Sequence, residues 1–507
     1  MRAVFILCDT INRRMLDIYN KERQNTAQMP NLNRLAKKGV VFENHWCGSA
    51  PCMPARKDLM TGRLNFLEKP WGAIEPFEHT LQTVLGAHGV HTMMYSDHSH
   101  YLIPGGENYT KGFTAWEVFR GQEGDPWCVR PGRNGILPEA RPEGYKGEYS
   151  ESEAENRKRL KTEADYPSVK TLSSAARWLE ENHEADRFLL WAEAFDPHEP
   201  YDVPQEYIHM YETDYTGLDV NHPDYQPNIF TEEETQHLKN RCKALMSMTD
   251  KYIGEILDVL DRHDMWKDTM VIFTTDHGFH LGEHGYMAKN YMAPYNEVFH
   301  IPLIIAAPGV KTGRSRALTQ NIDIMPTLLE FFKIHEKFPY PLHGKSLAPV
   351  LNEELEQVRG GVIFGYFGKQ TAYTDGTYVY MRAAKDESNR PLHLYTAVPS
   401  ILRQYLGGGD GIAEKDYDKI EMGRFLPWTK YPVYKIPADI VVFKNPSQEF
   451  SRRSDYNKDT LLFYLTEDYE QEHPVLDEKL EGIYIEKLRQ CMLAHDALPE
   501  QLERLGI

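Results

Sequence analysis

Val4-Phe5-Ile6-Leu7-Cys8-Asp9-Thr10 is an unbroken apolar run that stops at a carboxylate. A strand with one wet face alternates apolar and polar residues. A run that is apolar at every position belongs to a strand buried on both faces, as in a parallel sheet covered by helices. Further predicted strands, mostly apolar, lie at residues 40–42, 91–95, 188–195, 271–275 and 302–307. Helical stretches separate them. Pro30 opens one, with Leu32 and Leu35 on one face and Gly39 closing it, and others cover 80–85, 169–182 and 322–332. The stretch 241–263 carries Ile253, Ile256, Leu257 and Leu260 at helical spacing. Strands alternating with helices predict an α/β fold over residues 1–360, built on a doubly wound, mostly parallel sheet.

After residue 360 the texture changes. Short aromatic strands at 361–366, 371–373 and 378–382 alternate more than the earlier runs, and a strand at 461–465 and a helix at 476–495 follow. These predict a smaller C-terminal domain, 361–507, with an antiparallel sheet and a terminal helix. Residues 105–167 and 202–236 read as loop-rich insertions, and 384–456 as irregular. Within the first insertion Arg120-Gly121-Gln122-Glu123-Gly124-Asp125 stands out, and Arg120 is taken as a substrate contact.

In doubly wound sheets ligands gather at the carboxyl ends of the strands. Four polar clusters follow predicted strands here: Asp9; Ser96-Asp97-His98-Ser99-His100; Asp196-Pro197-His198; and Asp276-His277. They are expected to converge. Asp9, Asp276 and His277 have the chemistry to hold a divalent cation. Carboxylates suit calcium or magnesium, and an imidazole shifts the choice toward manganese or zinc.

A further stretch, Cys52-Met53-Pro54-Ala55-Arg56-Lys57-Asp58-Leu59-Met60-Thr61-Gly62-Arg63, follows the second strand. Pro54 suits a helix start and Thr61-Gly62 a helix end. Such a start points free N–H groups at an anion. Arg56 is the polarising neighbour that a reactive cysteine needs.

Cys52, Pro54, Arg56, Leu59, Thr61, Gly62 and Arg63 resemble the signature of the type I sulfatases, in which the cysteine of Cys-x-Pro-x-Arg is oxidised to formylglycine. Asp9 and Asp276-His277 resemble the family's metal-binding pairs, with Cys52 as a further ligand. Gly282-Glu283-His284-Gly285 followed by Lys289 resembles its sulfate-contacting lysine segment, and Pro197-His198-Glu199-Pro200 its Pro-His-x-Pro segment. Segments 321–328, 343–347 and 462–466 extend the likeness over almost the whole chain.

The resemblance implies an alkaline-phosphatase-like fold and sulfate-ester hydrolysis, with carbohydrate sulfates as the expected substrates. It implies one divalent metal, calcium with magnesium or manganese as alternatives. It also implies a formylglycine-generating or anaerobic sulfatase-maturating enzyme as partner. His198 or Lys289 would assist the leaving alcohol, His100 would act as base with His98 as the alternative, and Arg56 would orient the aldehyde. His98 and Asp97 are also expected near the substrate. Two positions depart from the family. Thr10 stands where a second Asp is usual, and Asp97 where a lysine is. With His277, Thr10 resembles the phosphonate monoester hydrolase branch of the alkaline phosphatase superfamily, which makes phosphonate or phosphodiester hydrolysis the first alternative. A binding protein that holds sulfated glycans without turnover is the second.

Composition bounds the rest. The formal net charge is −18 over 507 residues, with no long Lys/Arg run, so nucleic acid and anionic membranes are not expected partners. Six cysteines without metal-type spacing exclude a disulfide scaffold. The run 3–8 is too short for a signal core or a membrane span and predicts a cytoplasmic protein.

Overall fold

The computed structural model describes residues 1–20, 25–129, 143–146, 151–408, 410–443, 449 and 454–507. An eight-stranded sheet forms the centre. Its strands are β1 (Arg2–Cys8), β2 (Val40–Trp46), β3 (His91–Ser96), β4 (Ala115–Val118), β5 (Phe188–Ala194), β6 (Thr269–Thr274), β7 (His300–Ala306) and β8 (Gly313–Gln320). The spatial order is β8-β2-β7-β6-β1-β5-β3-β4. Every neighbouring pair is parallel except those of β7, which runs antiparallel to β2 and β6.

β1 lies between β5 and β6, with Val4 opposite Leu190 on one side and Val271 on the other. Its unbroken hydrophobicity follows from that place. Val4, Ile6 and Cys8 face one core with α1 (Pro30–Ala36), α4 (Pro167–Glu181) and α5 (Glu232–Arg262). Ala3, Phe5 and Leu7 face the other with α2 (Cys52–Thr61), α3 (Leu81–Ala87) and α6 (Ile324–Phe331). Helices therefore cover both faces, the arrangement that all-apolar parallel strands require.

A four-stranded antiparallel sheet follows, Val362–Gly365, Thr371–Thr374, Tyr378–Arg382 and Leu461–Tyr464. One face packs under helix Glu478–Ala494 through Tyr484, Leu488 and Met492. The other joins Trp46, Cys47, Ala55 and Phe299 in one apolar cluster. The segment leading into α2 is thus wedged between the large sheet and the small one.

The structure adds one strand and corrects two readings. Residues 313–320 form an edge strand that is too polar to register as one, because half of it is solvated. α5 begins at Glu232, nine residues before the expected start, where Thr231 and Glu234 form a reciprocal capping box. Residues 384–456 contain a three-stranded antiparallel sheet, His393–Thr396, Val433–Pro437 and Glu421–Gly423. Among the described residues no helix is long and apolar enough to cross a membrane.

Phe5 is fully buried, and its ring lies 4.1 Å from that of Trp191. Phe5→Ala should cost about 3–5 kcal/mol, since the central strand cannot collapse into the cavity. A lowered urea midpoint would show this; an unchanged midpoint would contradict the packing role.

Candidate active site and metal centre

Cys52 is the first residue of α2, which ends at Gly62 in the left-handed conformation (φ 65°). Both ends match the punctuation read from Pro54 and Thr61-Gly62. Asp58, one turn from the end, accepts from the Ser49 amide (2.7 Å), the Ser49 hydroxyl (2.9 Å) and the Asn65 amide (2.8 Å). This carboxylate ties the entry and exit of the helix together and so fixes where Cys52 points.

Asp9 follows β1, Asp276 and His277 follow β6, and their ligand atoms with Cys52 Sγ all lie within 4.8 Å of one another. The four expected metal residues are therefore brought together. His277 Nδ1 donates to the Gly278 carbonyl (2.8 Å), which leaves Nε2 as an acceptor, 3.3 Å from Cys52 Sγ. Burial pushes the His277 imidazole down to about 3, with Lys289 adding to the effect, so it is neutral as a metal ligand must be.

Arg56 is completely buried and engages three carboxylates. Nε donates to Glu193 (2.8 Å), one terminal nitrogen to Asp276 (2.6 Å) and the other to Asp9 (2.8 Å). It also donates to the Cys52 carbonyl (3.1 Å), not to the thiol. Arg56 therefore orients the metal-site carboxylates and the backbone of Cys52. Glu193, on β5, is held in turn by Tyr101 and by the Trp191 indole (2.9 Å). Its signal in the sequence was a lone acid inside an otherwise apolar buried strand.

The donor set fits a divalent cation. Burial first, and Asp276 second, raise the Asp9 carboxyl above its ordinary range. Three buried carboxylates share one guanidinium, with Lys289 nearby, and the remaining deficit of positive charge is what a cation at Asp9, Asp276 and His277 would supply. Thr10, in place of a second acid, takes the left-handed conformation (φ 66°) that β-branched residues disfavour. Its amide donates to Asp276 (3.0 Å), its hydroxyl to Asp9, and Lys289 Nζ donates to that hydroxyl (3.0 Å).

A cavity of about 340 Å³ opens above Cys52 and is bordered by His100, His198 and Lys289 among others. Burial works against the Lys289 ammonium, but Cys52, Glu199, Asp9 and Asp276 outweigh it and raise its pKa. His198 donates from Nδ1 to the Glu199 carbonyl (2.6 Å), and burial, followed by Lys289, holds the imidazole well below its ordinary value. Burial and then Asp9 push the Cys52 thiol well up. As encoded, this side chain is a poor thiolate.

The remaining expected residues do not line the cavity. His98 is buried beside the metal ligands, with Nδ1 3.7 Å from Asp9, and neither ring nitrogen has a hydrogen-bond partner among the described residues. Asp97 turns away and accepts from the Phe195 amide (2.8 Å) and the Gln122 side chain (2.6 Å). It joins strand ends and does not line the cavity. Arg120 pairs with Asp125 (2.8 Å from Nε) and does not line it either. Its neighbour Glu123 does, as do Trp71, Lys146, Tyr225, Asn290 and Arg403. These lie in aperiodic segments whose sequence carries no mark of their meeting.

Removing Arg56 would leave Glu193, Asp9 and Asp276 buried without their counter-charge. Arg56→Met should lose roughly 3–5 kcal/mol. Calcium should recover part of that loss by neutralising two of the three acids. Thermal unfolding with and without calcium checks this; equal loss in both conditions would argue against a cation at Asp9 and Asp276.

The sulfatase family model matches residues 2–334. The choline-sulfatase of Rhizobium meliloti (strain 1021) is 28% identical over 358 residues, covering 64% of this chain and 66% of the relative. The chain thus spans just under two thirds of that protein's length. A solved structure in complex with its substrate D-glucosamine-2-N,6-O-disulfate superposes with TM-score 0.65 at 15% identity, covering 98% of both chains. The phosphonate monoester hydrolase of Agrobacterium radiobacter superposes equally well, TM-score 0.65 at 16% identity, covering 97% of this chain and 96% of that one. At such identities these two likenesses speak for the shared alkaline-phosphatase-like α/β fold alone. With the family model covering well over half its length, and with Cys52, Asp9, Asp276 and His277 gathered at one point, the chain belongs to the sulfatase family.

Proposed function

We propose that this protein hydrolyses sulfate esters of small, carbohydrate-sized alcohols, with Cys52 oxidised to formylglycine and a divalent cation held by Asp9, Asp276 and His277. The observation that carries the reading is the convergence of Cys52 at a helix start with those ligands and with Lys289 and His198. Calcium is the expected ion, with magnesium and manganese as alternatives, because oxygen donors predominate and one imidazole joins them. A formylglycine-generating or anaerobic sulfatase-maturating enzyme would perform the oxidation. The hydrated aldehyde would supply a hydroxyl nucleophile for sulfur, and a cation held by Asp9, Asp276 and His277 would supply Lewis-acid charge beside it.

The chain's own residues do the rest. Arg56 keeps Asp9 and Asp276 in place. Lys289, an ammonium in a buried wall, offsets negative charge that grows on the sulfuryl oxygens and the leaving oxygen. His198 is anchored through Nδ1, which leaves Nε2 to face the cavity. An anion bound there would favour its imidazolium and let it protonate the departing alcohol. His100 borders the cavity and is the candidate base, and His98, closer to Asp9, is the alternative.

Mass spectrometry of the Cys52 peptide should find the aldehyde, and Cys52→Ser should be inactive. Full activity with an unmodified thiol would sink the mechanism. Kinetics on matched aryl sulfate, aryl phosphonate and phosphodiester substrates should favour sulfur; a clear preference for phosphorus would replace the reading with the phosphonate hydrolase alternative that Thr10 and His277 motivate.

Proton donation by His198 should matter most for poor leaving groups. His198→Ala should lower kcat on a sugar sulfate by about 10²–10⁴ and much less on 4-nitrophenyl sulfate. Equal losses on both substrates would remove it as the acid. Chelation should abolish turnover, and add-back of calcium, magnesium and manganese separately will rank the ions.

A further inference from the structure

The cavity wall away from Cys52 carries charge that sulfate cleavage leaves unexplained. Arg403, on the hairpin Ser400–Ile401/Gln404–Tyr405, donates to Glu123 (3.2 Å). Lys146 reaches the other oxygen of the same carboxylate at 3.4 Å. Glu123 is buried, which alone would raise its pKa, yet Lys146 and Arg403 outweigh the burial and hold the carboxyl well below its ordinary range. One buried carboxylate thus holds two cations side by side. Asp224, the other acid lining it among the described residues, is solvent-exposed, where water screens it. In a chain of net charge −18, Lys146, Arg403 and Lys289 all border one 340 Å³ cavity.

Two residues of this wall also carry buried N–H groups. Arg403 donates to His100 Nε2 (3.3 Å), so the ring hydrogen of His100 sits on Nδ1. That Nδ1, and the Trp71 indole nitrogen, have no hydrogen-bond partner among the described residues, and both side chains are more than nine-tenths buried. A negatively charged, oxygen-rich ligand in this cavity would meet Lys146, Arg403 and Lys289 along its wall.

We propose that Arg403 and Lys146, bridged by Glu123, form a second anion subsite, so that the preferred substrate is a small ester bearing a carboxylate or a second sulfate besides the sulfate that is cleaved. The inference rests on the sulfatase reading above. The cavity volume suits a molecule of about monosaccharide size.

The test compares kcat/KM for matched substrates on the calcium-loaded, formylglycine-bearing protein: glucosamine 6-sulfate against its N-sulfated form, and a pyranoside 2-sulfate against the uronate 2-sulfate. The second anion should raise kcat/KM by about tenfold to a hundredfold, chiefly through KM, as one or two charge-assisted hydrogen bonds would. The advantage should shrink with added salt. Arg403→Gln and Lys146→Met should each cut the ratio toward one, and Arg403→Lys should keep part of it. A ratio near one in the unaltered protein, or a ratio untouched by both neutral variants, would overturn the subsite while leaving the sulfatase reading intact. Absence of turnover on every sulfate ester, with the aldehyde confirmed, would instead bring down the sulfatase reading and this inference with it.

Discussion

The guanidinium of Arg56 is the interaction on which the site depends. It is fully buried one turn into α2, and it reaches the ends of three different strands through Asp9, Asp276 and Glu193. A lysine could not do this, because a point charge lacks the planar fork that lets one side chain serve three acids. Burying such a cluster costs several kcal/mol per ion in desolvation, and good geometry only partly offsets it. The return is placement. α2 cannot slide along the sheet without breaking contacts to β1, β5 and β6 together, so Cys52 stays aimed at the metal ligands. Three carboxylates face Arg56 with Lys289 nearby, and that excess of negative charge suits a divalent ion at Asp9, Asp276 and His277.

How much of this was legible in the sequence depends on the kind of residue. The central strands were legible because burial on both faces leaves no room for polar positions, and the residue just past each strand then stands out. Asp9, His198, Asp276 and His277 were found that way. α2 was legible from its own punctuation. Glu193 was visible in principle as one acid in a buried strand. Thr10 was read as a missing charge, and its conformation could not be read, since nothing in Asp9-Thr10-Ile11 announces a left-handed turn at a β-branched residue. Asp97 was expected near the substrate because it follows a strand and stands where a family lysine is usual; its carboxylate accepts from the Phe195 amide and the Gln122 side chain and lies outside the cavity lining.

The far wall of the cavity was not legible for a different reason. Glu123 and Lys146 come from one insertion, Trp71 from the segment after α2, and Arg403 from a hairpin some 350 residues beyond Cys52. None of these stretches is periodic, and each is held by side-chain contacts that only the folded chain creates. Arg120 and Glu123 are three residues apart, and no local rule says which faces inward. Here Arg120 is consumed by Asp125 and Glu123 is turned toward His100 and Arg403.

The two walls are consequently built under different constraints. The wall around Cys52 is made of strand ends and one helix start, all locked to the sheet through Arg56, and a change there propagates into the core. The wall around Arg403 is made of loops joined mainly through Glu123, and its side chains can change without moving a strand. Arg403 also donates to His100, so the two walls are coupled at one point: whatever occupies the cation pair acts on the ring beside the reacting end. A substrate anion that draws Arg403 toward itself would weaken its hold on His100 Nε2 and leave that nitrogen freer to accept a proton. Selectivity for the distant group is thereby tied to the surroundings of the candidate base, while its main effect stays on binding.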